Sequence, residues 1–189
     1  MPKDMLIIAN ITLDIYNAVL GIILIISTII RHVIKRKVRI WFLIMISANI
    51  IMSIADIFTW LFEGKANPHN FIILPIAMFI FYVMAFGIIF CSGFYIINSL
   101  DKDKYRKVFK ISLIVSAVIY DISLLLTPFL GLLYNIDANN IYTRGHFFII
   151  PIIIDTLLYF HCFAYMIINR KTIHRDKVFK LQPISPPNS

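Results

Sequence analysis

Four aspartates, Asp14, Asp56, Asp121 and Asp155, lie inside long apolar stretches of the chain, and Arg144 stands at the lip of the last of these stretches. A carboxylate near the middle of a bilayer costs roughly 2.5–3.5 kcal/mol on insertion scales, so it persists where a partner, a ligand or water compensates it. An arginine beside such acids has two uses. It neutralises Asp155 or Asp121 from the loop, or it caps a pocket and binds an anion through its planar fork. A loop arginine that is merely solvated is the plainer alternative.

Spacing groups the polar residues further. Asn10, Asp14, Asn17 and Gly21 follow one another at intervals of 4, 3 and 4, and so do Asn49, Ser53, Asp56 and Trp60. That period holds each set on one helical face, so two polar stripes are expected to face each other or a cavity. Asp155, Tyr159 and Cys162 repeat the spacing, and Ser116, Tyr120, Ser123 and Thr127 make a further stripe with Asp121 next to it. At every one of these positions the alternative is structural: Asn, Ser and Gly on membrane helices act as interhelical glue worth about 0.6 to 2 kcal/mol per contact. Taken together, the acids predict a polar pocket. Its ligand-binding candidates are Asp56, Asp155 and Arg144 first, then Asp14, Asp121 and Trp60, with Asn10 and Asn49 on the same stripes.

Other chemistries find less support. His161 and Cys162 are adjacent, and adjacency on a helix points them to different faces, against a nucleophile–base pair. His69 and His146 with the aspartates lack a metal-ligand spacing, and no cofactor or metal is expected. Cys91 and Cys162 fall within apolar runs, where packing explains them better than a disulfide.

The elements that must carry these groups follow from composition. Hydrophobic residues make up 60% of the 189 residues, against roughly 45–50% for soluble domains, and the mean hydropathy is +0.84. Five apolar runs lie near 6–30, 40–62, 71–99, 109–134 and 146–168. Lipid offers no partners to backbone N–H and C=O groups, so each run must be a helix or part of a closed barrel. The runs are too long and too continuously apolar for barrel strands. The expected fold is therefore an all-α, polytopic membrane helix bundle over 1–180 in the cell membrane, with a charge-free, proline-rich disordered tail at 181–189.

Basic residues set the expected orientation. Arg31, Lys35, Arg36, Lys37 and Arg39 fill the first loop, Lys102, Lys104, Arg106, Lys107 and Lys110 the third, and Arg170, Lys171, Arg175, Lys177 and Lys180 the tail. Of the 18 basic residues only Lys3, Lys65 and Arg144 remain for the other side. Short cytoplasmic loops carry the positive excess, which predicts an N-outside, C-inside chain. At about 1.5 Å per residue, Asp14, Asp56 and Asp155 then lie roughly 9–14 Å below the outer surface, with Asp121 deeper unless Pro128 ends its helix early. The net charge of +8 is accounted for by loops that pair with anionic lipid headgroups, without nucleic acid. The first run is about twice the length of a signal-peptide core, which favours a retained helix.

The second helix, ANIIMSIADIFTWLFEG (48–64), and the stretch NNIYTRGHFFIIP (139–151) together resemble the N-terminal membrane input region of bacterial GGDEF-type diguanylate cyclases. They are also similar to the seven-helix input regions of some membrane histidine kinases. In those families a Y-x-RG element follows an outer loop and opens a helix, as Tyr142, Arg144 and Gly145 do here, and the resemblance runs from about residue 10 to 181. It implies a sensory input module, truncated, detached or standing alone, because no GGDEF signature, kinase motif or nucleotide-binding glycine loop occurs in the chain. No catalytic residue carries over, and no enzyme activity is expected.

The expected function is to bind a small extracellular molecule in the outer-half pocket and pass the event by helix movement to a cytoplasmic output domain or protein. Expected partners are the bilayer with its anionic headgroups, that small molecule, that output partner and a second copy of the chain as a homodimer. The main alternative is a small transporter or channel component in which the aspartates handle ions or protons. An intramembrane enzyme would need a nucleophile and base, or metal ligands, at one depth, and no such set stands out.

Overall fold

The structure, a computed structural model, describes residues 3–30, 36–65, 69–99 and 105–168. Among these, five helices run α1 (Lys3–Ile30), α2 (Arg36–Phe62), α3 (Asn70–Ser99), α4 (Arg106–Leu130) and α5 (Ile149–Ile168). All five are long and apolar enough to cross a membrane. Their outward faces suit lipid: Phe129 is 84% exposed and Ile30 70%, and such side chains would be costly to hold in water. The basic residues Arg31, Lys35, Lys102 and Lys104, the basic residues from 170 on and the 181–189 tail lie outside the described residues.

Successive helices alternate in direction, so the chain has two ends. The described basic residues Arg36, Lys37, Arg39, Arg106, Lys107 and Lys110 gather at one. The other end carries a β-hairpin, β1 (Tyr134–Ile136) and β2 (Tyr142–Arg144), paired antiparallel with Asn135 opposite Thr143. This hairpin end is the part that the apolar pattern misplaces. The fourth run was expected to continue to 134 and the fifth to begin at 146. Instead α4 passes through Pro128 and stops at Gly131, whose φ of 58° is left-handed and whose N–H bonds the Thr127 carbonyl at 2.8 Å. Glycine tolerates that conformation as few other residues do. Leu132 and Leu133, though apolar, then belong to the approach to β1, and α5 starts only at Ile149.

Helix α3 is the centre of the bundle. It packs on α2, α4 and α5, while α1 packs on α2. The core follows α3 from Leu74 through Met78, Tyr82, Phe86 and Ile89 to Ile97, and meets Phe109, Leu113, Tyr120 and Leu158 from α4 and α5. Aromatic rings stack across these contacts: Phe86 on Tyr120 with centroids 4.4 Å apart, Phe109 on Tyr165 at 4.6 Å and Tyr82 on Tyr134 at 5.3 Å. Two glycines bring helices close. A Cβ at Gly21 would stand 2.6 Å from Ile50, and one at Gly93 would stand 2.6 Å from Leu113, which is the role that small residues play where membrane helices meet.

Candidate functional site

Helices α1 and α2 meet along the two polar stripes. Asn17 donates its amide to the Ser53 hydroxyl at 2.7 Å and accepts from the Asn49 amide at 2.9 Å. Gly21 lies against Ile46 and Ile50, a turn further along α1. In the other direction the Asp14 and Asp56 carboxyl groups face each other, and Asp14 Oδ2 is buried without a hydrogen-bond partner. Two such groups repel unless a proton or a cation lies between them. The seam is thus mostly interhelical glue, and Asn49 is used up in it.

Asp56 also looks the other way, into a cavity of about 460 Å³ at the hairpin end. That volume lies within the roughly 300–1,000 Å³ usual for small-molecule sites. Helix α2 lines it with Asp56, Thr59, Trp60 and Glu63, and α3 with Leu74, Met78, Phe81, Tyr82 and Ala85. Tyr120 of α4, Tyr142 and Arg144 of β2, Phe148, and Pro151, Ile152 and Asp155 of α5 complete the wall. Asp56 and Asp155 each lie six residues from the hairpin end of their helix, at Phe62 and Ile149. At 1.5 Å per residue both carboxyl groups stand about 9 Å down.

The polar groups of the wall are unevenly satisfied. The Thr59 hydroxyl sits 2.7 Å from the Asp56 carbonyl oxygen and 3.1 Å from Asp56 Oδ1. The Tyr82 and Tyr142 hydroxyls pair at 3.1 Å, joining α3 to the hairpin, and the Tyr120 hydroxyl donates to the Tyr82 carbonyl at 2.9 Å. Asp155 differs: its Oδ1 is buried and has no hydrogen-bond partner. Arg144 lays its guanidinium over the Phe148 ring, 4.8 Å from the centroid. Among the described residues it makes no ion pair with Asp155 or Asp121, so neutralisation of those acids from the loop is not what it does in this structure.

Asn140 ties the hairpin to the end of α2, and two further contacts brace it from within. Asn140, at the turn, is wholly buried with a left-handed φ of 61°. Its amide donates to the carbonyls of Phe62 at 2.8 Å and Lys65 at 3.4 Å, and its own carbonyl accepts from Gly64 N–H at 2.8 Å. Asp137 Oδ1 closes the turn from within, accepting from Asn139 N–H at 2.9 Å and Ile141 N–H at 2.8 Å, a habitual use of Asp in turns. Gly145 donates to the Leu133 carbonyl at 2.9 Å. It is needed for space: a Cβ there would stand 2.3 Å from the carbonyl oxygens of Gly131 and Leu132. Burial also pushes the Tyr134 phenol above its ordinary pKa, so this ring of β1 stays neutral against Tyr82.

The candidates from the sequence therefore divide. Asp56, Asp155, Arg144 and Trp60 line one cavity; Asp14 borders Asp56 from α1 without lining it, and Asn10 and Asn49 lie off it, Asn49 on the α1–α2 seam. Asp121 is exposed on α4, next to the inward-facing Tyr120. Tyr159 likewise points out, 57% exposed, so the buried face of α5 runs through Pro151, Leu158, Cys162 and Tyr165 instead. Glu63, Thr59, Tyr82 and Tyr120 are wall residues beyond the sequence candidates; Glu63 follows Thr59 and Asp56 at helical spacing, a signal the α2 stripe already carried. His161 faces Ser112 at 3.2 Å, apart from the cavity, and Cys91 and Cys162 are buried free thiols. No group of three or more His, Cys, Asp or Glu among the described residues is placed to hold a metal ion. Comparison with protein-family models, with curated proteins and with solved structures finds no match to this chain.

Proposed function

We propose that the chain is a multi-pass plasma-membrane sensory input module, N-outside and C-inside, that binds a small extracellular ligand in the hairpin-end cavity. The observation that carries this is the convergence of Asp56, Asp155, Arg144 and Trp60, from α2, α5 and β2, on one ligand-sized cavity. A cavity walled by five elements changes shape when any one of them moves, so a ligand that fits one arrangement better shifts the population toward it. The Asn140 contacts make the hairpin and the end of α2 a single unit. Helix α2 then leads to the basic end, where Arg36, Lys37 and Arg39 stand beside anionic headgroups on the proposed cytoplasmic side. A cytoplasmic output partner reads the displacement there, as the resemblance to diguanylate cyclase input regions implies.

Labelling tests the placement. A Trp60→Cys variant in intact cells is expected to react with a membrane-impermeant thiol reagent added outside, while Phe129→Cys, on a lipid-facing position, is expected to stay unreactive. Trp60→Cys that reacts only in inside-out vesicles would overturn both the orientation and the outward opening.

The transporter alternative draws on the Asp14–Asp56 pair and the Asn17–Ser53–Asn49 contacts beyond it. Those amides are occupied by one another, and Ile46 and Ile50 pack on Gly21 next along the seam. A conducting path would need polar groups continuing from there to the basic end, so the receptor reading is the better supported.

A further inference from the structure

We infer that the ligand of this cavity is a small organic ammonium compound whose charged nitrogen seats at Asp155 and whose apolar body lies among the aromatic side chains; the inference rests on the pocket proposed above. Three carboxyl groups, Asp56, Glu63 and Asp155, face the cavity against one guanidinium, Arg144. The Arg144 cation is already stacked on Phe148. The Asp155 Oδ1 atom is buried with no hydrogen bond, and an unpaired buried acceptor of this kind costs on the order of 1–3 kcal/mol or more when charged. An ammonium group in the cavity beside this carboxyl supplies the compensating charge, and donors to whichever of its oxygens the cavity reaches.

Size and wall chemistry separate an organic cation from a bare one. A metal ion needs several ligands at about 2.0–2.6 Å, and no three acids or histidines among the described residues are grouped for that. The cavity of about 460 Å³ instead has room for a molecule of several heavy atoms. Trp60, Phe81 and Tyr142 present aromatic walls, and ring faces attract ammonium groups while accommodating an apolar body. Arg144 at the hairpin side is placed to receive a carboxylate if the compound carries one, as an amino acid does.

Equilibrium dialysis of the full chain in detergent against phenethylamine, 2-phenylethanol and phenylalanine tests this. The first and third carry an ammonium on the same aromatic body, and the second replaces it with a neutral hydroxyl. The expected result is that an ammonium compound binds at least about tenfold more tightly than the alcohol, the worth of one charge-assisted hydrogen bond. Asp155→Asn should remove that preference, while Asp121→Asn, outside the cavity, should keep it. Should Asp155→Asn fail to assemble, Asp155→Ser offers the same reading: it should weaken the amine and leave the alcohol nearly unchanged. Equal affinity for amine and alcohol overturns the ammonium assignment and leaves the pocket standing. Binding of none of the three overturns the ammonium assignment and the pocket together.

Discussion

Asn140 in the hairpin turn donates its side-chain amide to the carbonyl of Phe62, 2.8 Å away and 78 residues earlier in the chain. Phe62 is the last residue of α2, and helix ends leave carbonyls that need partners. Gly64, with φ of 74°, turns the chain there, and Asn140 takes the place of the missing helical turn. Two residues beyond Asn140, Tyr142 enters the cavity wall that α2 lines from the other side. The roof of the cavity and one of its walls are therefore one fastened piece.

Replacing Asn140 should expose that fastening. Asn140→Gly keeps the left-handed backbone and loses the side-chain bonds, with an expected cost of about 1–3 kcal/mol. Asn140→Ala adds a strained φ and should cost about 1–2 kcal/mol more. Chemical denaturation in micelles gives the two values, and hydrogen exchange should rise at Gly64 in both variants. Equal stability of Asn140→Ala and the native chain would contradict the role given to this residue.

Gly145 and Gly87 offer a contrast within one chain. A Cβ at Gly145 meets backbone oxygens at 2.3 Å, which no side-chain rotation relieves, whereas one at Gly87 meets nothing within 4 Å. Gly145→Ala should lower stability by several kcal/mol, above the roughly 1–3 kcal/mol typical of overpacking, and loosen the hairpin. Gly87→Ala should be neutral or slightly stabilising, since alanine favours helix by up to about 1 kcal/mol. Thermal denaturation of the two variants side by side checks the ordering.

The α1–α2 seam should behave as glue. A double-mutant cycle of Asn17→Ala and Ser53→Ala is expected to give a coupling of about 0.6 kcal/mol and no more than about 2 kcal/mol. Ligand affinity should change little in either variant, because neither residue lines the cavity. A large loss of binding from Ser53→Ala would move the site onto the seam.

How far the sequence alone reaches depends on the kind of order involved. The five helices were legible because long continuous apolar runs leave little choice but helix, and the Asn17, Asn49 and Ser53 stripes because helical pitch is a local property. Asp121 lies outside the cavity through the same pitch: it is one residue from Tyr120, and about 100° of rotation separates a core position from an exposed one. The hairpin was not legible, because strands of three residues, Tyr134–Ile136 and Tyr142–Arg144, leave almost no alternating pattern. Asn140 and Gly145 act through partners brought together only by folding: Phe62 across 78 residues, and the backbone of Gly131 and Leu132. Glu63 continues the Asn49, Ser53, Asp56 and Trp60 stripe by one helical step, so its place in the wall is local in origin.

The central claim is that occupancy of the hairpin-end cavity moves the helices at the basic end. The direct measurement is the distance between spin labels at Lys37→Cys on α2 and Ile168→Cys on α5, with Cys91 and Cys162 replaced by alanine, recorded by pulsed electron resonance with and without saturating phenethylamine. A distance distribution that shifts in this chain and stays fixed when Asp155→Asn is added is the predicted result. An unchanged distribution in a chain that demonstrably holds the amine would contradict the account.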